Sequence, residues 1–248
     1  MIRLSVNVNK VATLRNSRGG SEPDVLEAVR VCLAAGAPGI TVHPRADRRH
    51  VTPTDVRAIA RELAGRPVVE FNIEGDPRED LLALVHEVRP QQCTLVPVTP
   101  GEITSQAGWP SATPTAQLGG VIGTLRDRHI RASLFVDPEP EPVRWAAAVG
   151  ADRVELYTEP FARAFAAGGA DDPSTRASFE AYAAAARLAH SLGLGVNAGH
   201  DLDLANLTLF RTLPHLDEVS IGHALVSQAL FVGLAASVHA YLDVLAGT

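Results

Sequence analysis

Eight short runs rich in Val, Ile and Leu recur along the chain, each followed by a longer stretch of helical character. They are "IRLSVNV", "GITVH", "PVVEFNI", "QCTLVPV", "RASLFVD", "RVELYT", "GLGVNAG" and "EVSIGHA". Between them lie amphipathic stretches such as "PDVLEAVRVCLAAGA", "TPTDVRAIARELAG", "REDLLALVHEVRP" and "ASFEAYAAAARLAHSLG". A parallel strand pair needs a crossover, and the crossover helix covers a sheet face, so this alternation requires a parallel sheet buried on both faces. Eight such units in 248 residues fit an α/β fold, a (β/α)₈ TIM barrel forming a single domain over residues 1–248. A doubly wound open sheet is the alternative, but no G-x-G-x-x-G or Walker loop follows the first strand. "AAGA", "ELAG" and "SLGLG" put Gly just past a last helical turn, while Ser21 before "EPDV" and Thr52 or Thr54 before "DVRAIA" suit helix starts. Residues 99–115 and 158–175 have the Gly/Pro/Thr content of long surface loops able to act as lids.

Composition narrows the classes. Hydrophobic residues make up 46% and charged residues 20%, which is ordinary for a globular protein with a real core. No apolar run approaches the ~18 residues needed to span a bilayer, and "MIRLSVNVNK" lacks the pattern of a secretion signal, so a cytoplasmic protein is expected. Cys32 and Cys93 lie in apolar surroundings without metal spacing, as buried free thiols do. The net charge is −6, yet residues 1–50 hold eight Lys/Arg against four acids. An acidic protein with a basic opening is a poor nucleic-acid binder and a reasonable host for small anions. Lys10 is the only lysine among 22 basic residues.

Barrel chemistry sits at the C-terminal ends of the strands. Those ends carry Asn7, Asn9 and Lys10; His43 and Arg45; Glu70 and Asn72; Thr94; Asp137; Glu155; Asn197, Gly199 and His200; Gly222 and His223. Loop capping accounts for one or two polar residues there, not for three histidines and two strand-embedded glutamates. Glu70 follows "PVV", where a carboxyl is costly unless paired or protonated; a salt bridge or a carboxyl poised for acid–base work both meet that demand. His43 suits a proton carrier. "HPR" lacks the H-x-H doublet of barrel metallohydrolases, so no metal is expected. "NAGH" and "SIGH" place Gly before His at the last two strand ends, where barrels often bind phosphate. Arg15 and Arg18, leaving the first strand in what reads as a flexible loop, add to Arg45 and His50 enough positive charge for more than one phosphate.

"VNVNKVATLRNSRGG", "GITVHPRADRRH", "VEFNIEG", "TLVP", "VELYTE", "VNAGHDL" and "SIGHAL" together resemble the pyridoxine 5′-phosphate synthase family, across all eight strands in order. The resemblance implies a barrel assembled as a homo-octamer built from dimers. It implies an enzyme that condenses 3-amino-2-oxopropyl phosphate with 1-deoxy-D-xylulose 5-phosphate, releasing inorganic phosphate and water, with no metal or organic cofactor. By resemblance His43 and Glu70 are the acid–base pair, His200 is a second proton-transferring histidine, and Glu155 stabilises the transition state. Asn7, Arg18, Asp201, Gly222 and His223 would hold the amino ketone phosphate. Arg45, His50 and Thr104, with Asn9 and Lys10, would hold the deoxyxylulose phosphate. The chain departs from the family at Asn9-Lys10, commonly Asp-His, and at Asp201, where glycine is common.

Two other functions fit parts of this pattern. A sugar-phosphate epimerase or isomerase with Glu70 as enolising base needs only one phosphate pocket, and two cationic clusters argue against it. A non-catalytic phosphate-binding paralogue would explain the changed Asn9-Lys10 pair but not the presence of His43, Glu70, Glu155 and His200.

Overall fold

A computed structural model describes residues 1–97 and 107–247. Eight parallel strands pair in chain order and close, β1 against β8. They are β1 (Arg3–Asn7), β2 (Gly39–Val42), β3 (Glu70–Gly75), β4 (Gln92–Leu95), β5 (Arg131–Val136), β6 (Arg153–Leu156), β7 (Gly195–Ala198) and β8 (Leu216–Ile221). The expected (β/α)₈ barrel is the fold observed.

The strands read as unbroken apolar runs, but their two faces differ. Leu4 and Val6, Ile40 and Val42, Phe71 and Ile73, Leu134 and Val136, Val219 and Ile221 belong to one buried apolar core. The alternate positions are polar and equally buried: Ser5, Thr41, Glu70, Asn72, Glu74, Gln92, Thr94, Ser133, Glu155, Asn197, Glu218 and Ser220. A strand period of two separates the sets. The second set faces the lumen, since the Asn197 amide reaches from β7 to Gln92 Oε1 on β4, 3.5 Å away. Rungs of side-chain bonds cross the strands there, with Ser5 and Thr41 hydroxyls 2.7 Å apart and Thr94 Oγ1 donating to Asn72 at 3.1 Å.

The helices show where local chemistry decides. Asp24, not Ser21, caps α2 (Val25–Ala34), its carboxylate accepting from the Leu26 N–H at 2.8 Å. Thr52 caps α3 (Pro53–Leu63) in a reciprocal box with Asp55. Gly193, at φ +81°, follows the last turn of α8 (Pro173–Ser191). Two segments read as loops are helical: Asn9–Asn16 is α1, and α7 (Glu159–Gly168) occupies most of 158–175. The remaining helices are α4 (Glu79–Val88), α5 (Thr115–Arg126), α6 (Pro140–Val149), α9 (Leu204–Phe210), α10 (His223–Val232) and α11 (Leu234–Ala246). Cys32 and Cys93 are buried and free. Among the described residues no helix is long and apolar enough to cross a membrane.

Candidate active site

The C-terminal ends of the strands open on a cavity of about 290 Å³. Asn7, Asn9, Lys10, His43, Arg45, His50, Glu155, His200, Asp201, Gly222 and His223 all line it, as do Glu74, Ser220, Phe135 and Val96. Three expected residues are not in that described lining. Arg18 is exposed past the end of α1 and does not line the cavity. Thr104 lies outside the described residues.

Glu70 is the third and needs a correction. It is the first residue of β3, not near its end, so it sits at the opposite mouth of the barrel. There its carboxylate is bonded to the Arg131 guanidinium and lies 3.9 Å from that of Arg3. This is the salt-bridge alternative. The carboxyl at the site is Glu74, on the same strand face and two side-chain steps further along. The clue was available in "EFNIEG": a strand that begins at Glu70 keeps every second residue inward, which puts Asn72 and then Glu74 at the rim. Arg15 is also unavailable to an anion, because both its terminal nitrogens bond Asp55, at 2.7 and 2.8 Å.

The centre of the cavity is a pair. His43 Nδ1 lies 3.9 Å from Glu74 Oε2, and both residues are under a tenth exposed. Burial, reinforced by the charges of His50, Arg45 and Arg78, lowers His43 to about 3. Burial, together with the nearby Glu155, raises Glu74 well above the ordinary carboxyl range. The pair therefore sets a neutral imidazole, able to take a proton, beside a carboxyl whose protonated form burial favours. His43 Nε2 has no hydrogen-bond partner among the described residues. Glu155, buried on β6, is pushed up to about 7 by burial against the opposing pull of His200. Asn7 Nδ2 donates to Glu74 at 3.4 Å.

The flanks differ in charge and shape. On one side Lys10, Arg45 and His50 converge from α1 and the segment after β2. Burial and the Lys10 charge lower His50 to about 4, so it offers a neutral ring rather than a third cation. The opposite flank holds His200, its Nδ1 3.0 Å from Asp201 Oδ2 and its ring edge-on to Tyr157 at 5.1 Å. Thr158 Oγ1 donates to the His200 carbonyl. Gly199 permits this arrangement, because a Cβ there would meet the Ser220 carbonyl oxygen at 2.3 Å. Gly222 leads into α10, whose N-terminus faces the cavity beside His223 and offers unpaired backbone N–H groups to an anion. Among the described residues no group of three or more His, Cys, Asp or Glu side chains could hold a metal ion.

Comparison with known proteins places this geometry. A pyridoxine 5′-phosphate synthase from Porphyromonas gingivalis is 49% identical over 247 residues, covering 99% of this chain and all of that protein. One from Xanthomonas oryzae pv. oryzae is 51% identical over 255 residues, covering 100% and 98%. Among solved structures, phosphoribosylanthranilate isomerase from Thermotoga maritima superposes with a TM-score of 0.59 at 14% identity over the full length of both chains. That likeness concerns the barrel alone. The family described as pyridoxal phosphate biosynthesis protein PdxJ matches residues 4–247. On that match and those identities, the chain belongs to the PdxJ family of pyridoxal phosphate biosynthesis proteins.

Proposed function

We propose that this chain forms pyridoxine 5′-phosphate, the product for which its relatives are named, from 3-amino-2-oxopropyl phosphate and 1-deoxy-D-xylulose 5-phosphate. The observation that carries the proposal is the buried His43–Glu74 pair, 3.9 Å apart, set between two anion-binding flanks. Joining an amine to a ketone as an imine expels water and needs a proton donor. Closing the ring needs protons removed from carbons beside carbonyl or imine groups, and inorganic phosphate departs. Neutral His43 is the base for the carbon-bound protons, and Glu74, whose protonated form burial favours, is the acid for the departing oxygen. Glu155, titrating near neutrality, follows charge as it develops. His200, oriented by Asp201 and Tyr157, serves a later transfer.

Lys10, Arg45 and His50 hold the deoxyxylulose phosphate, while Asn7, Gly222 and His223 with the α10 N-terminus hold the amino ketone phosphate. Inorganic phosphate release that requires both substrates together is the expected result. Release from either alone, or turnover of a single sugar phosphate, would favour an isomerase-type barrel; tight binding without turnover would favour a non-catalytic paralogue.

The proposal extends to a homo-octamer built from dimers, in the cytoplasm and without nucleic acid. Leu230, Phe231 and Val232 end α10 fully or largely exposed, Phe231 at 90%, beside α1 with its exposed Leu14. Apolar surface of this kind suits a subunit contact. Phe231→Asp should lower the mass seen in sedimentation while leaving the barrel's circular dichroism intact; an unchanged mass would count against this face.

A further inference from the structure

β1 and β2 pair in register up to Asn7 opposite Thr41, and the Val8 N–H extends the ladder to the Thr41 carbonyl at 3.2 Å. The next rung of a parallel ladder would run from the His43 N–H to the Val8 carbonyl. That carbonyl is already used. Because α1 begins at Asn9, it accepts from the N–H groups of Val11 and Ala12, at 3.1 and 3.4 Å. The His43 N–H donates instead to Oδ1 of the Asn9 side chain, at 2.8 Å. Asn9 is 5% exposed, and its own N–H donates to Asn7 Oδ1 at 3.1 Å.

We infer that Asn9 is a positioning residue for His43, its carboxamide replacing the strand carbonyl that α1 withdraws. The inference rests on the proton-transfer role proposed above for His43, and it moves Asn9 out of the set of residues that hold substrate. A buried N–H left without an acceptor would be costly and would free the end of β2 to shift. The carboxamide also brings no charge. Around His43 stand Glu74 from β3, Arg45, Asp47 and His50 from the segment after β2, and Arg78 ahead of α4, while Lys10 lines the same cavity. A carboxylate at position 9 would accept the same hydrogen bond but would stabilise the imidazolium.

Two variants separate positioning from substrate contact. Asn9→Leu keeps the volume and removes the acceptor. It should speed exchange of the His43 backbone amide at least ~10-fold and lower kcat by ~10- to 100-fold, with both Michaelis constants within about threefold of wild type. Asn9→Asp keeps the acceptor. It should preserve amide protection and raise the proton affinity of the His43 imidazole about tenfold or more in an NMR titration, moving the acid limb of the pH–rate profile upward. Unchanged His43 amide exchange in Asn9→Leu would overturn the inference. So would a large rise in one Michaelis constant with kcat intact. If Asn9→Leu does not fold, an unshifted His43 titration in Asn9→Asp overturns it alone. Exchange and titration need no substrate, so absence of pyridoxine 5′-phosphate with the wild-type protein would defeat the functional proposal and leave this one to be judged separately.

Discussion

At the scale of single residues, position along a strand decides role. Glu70 and Glu74 share a strand, a face and a chemistry, yet one is paired with arginines at the opposite mouth and the other stands beside His43 with no arginine or lysine partner among the described residues. The apolar run "PVVEFNI" marks only Glu70 as strand-embedded; which carboxyl reaches the rim depends on where β3 starts and ends, and a boundary moved by a few residues exchanges them. Lys10 is legible for a different reason, as the one lysine in an arginine-rich chain. Its compact ammonium beside His50 and Arg45 suits a phosphate better than a planar guanidinium would. Lys10→Arg should therefore raise the Michaelis constant for deoxyxylulose phosphate by about tenfold with little change in kcat. Wild-type constants in that variant would show the ammonium to be dispensable. His200, held by Asp201 at 3.0 Å, is proposed to act later in the scheme. Replacing it with Asn should let an intermediate build up in single-turnover experiments, and equal loss of binding for both substrates without an intermediate would point to a binding role instead.

Elements were legible in proportion to their apolar periodicity. The strands and the helices α2, α3, α4 and α8 carry it plainly. α1 does not, since "NKVATLRN" is mostly polar, and it is held by its placement: Arg15 forks onto Asp55 of α3. α7 was obscured by the Gly and Ala of "FARAFAAGG", which read as loop although Phe161 packs into the core. Asp55 joins these local and tertiary demands. Its carboxylate accepts from the Thr52 N–H at 2.7 Å, from the Thr52 hydroxyl at 2.9 Å and from Arg15. Asp55→Ala should destabilise the fold by about 2 kcal/mol, against about 1 kcal/mol for Thr52→Ala. Denaturant midpoints with unchanged slopes would check this; equal effects would mean the Arg15 fork adds nothing.

Across the whole molecule, the barrel encloses ionisable groups whose proton affinities run in opposite directions. Glu155 is raised to about 7 and Glu218, buried in the lumen beside Glu70, to about 8, from an ordinary 4.5. The stability these raised carboxyls contribute is complete below 4.5 and is lost as pH rises through 7 and 8. His43 and His50, lowered from 6.5 to about 3 and 4, contribute stability present above 6.5 and lost as pH falls through those values. The melting temperature should thus peak between about pH 4.5 and 6.5 and fall on both sides, with Glu218→Gln flattening the alkaline fall; a profile rising steadily to pH 8 would contradict the assignment. The polar lumen that houses these groups could not be read from strands taken as wholly apolar, because Ser, Thr, Asn and Gln at every second position are short enough to pass as interruptions. Glu74, beside His43 at the cavity, and not Glu70 at the opposite mouth, is the carboxyl proposed to form pyridoxine 5′-phosphate with His43. The most direct measurement is product formation from both substrates, followed by mass, in wild type, Glu70→Gln and Glu74→Gln side by side. Wild type should give product, folded Glu70→Gln a rate within about threefold of it, and Glu74→Gln a loss of ~10²-fold or more. Near-normal turnover in Glu74→Gln, or its collapse in a folded Glu70→Gln, would contradict the proposal.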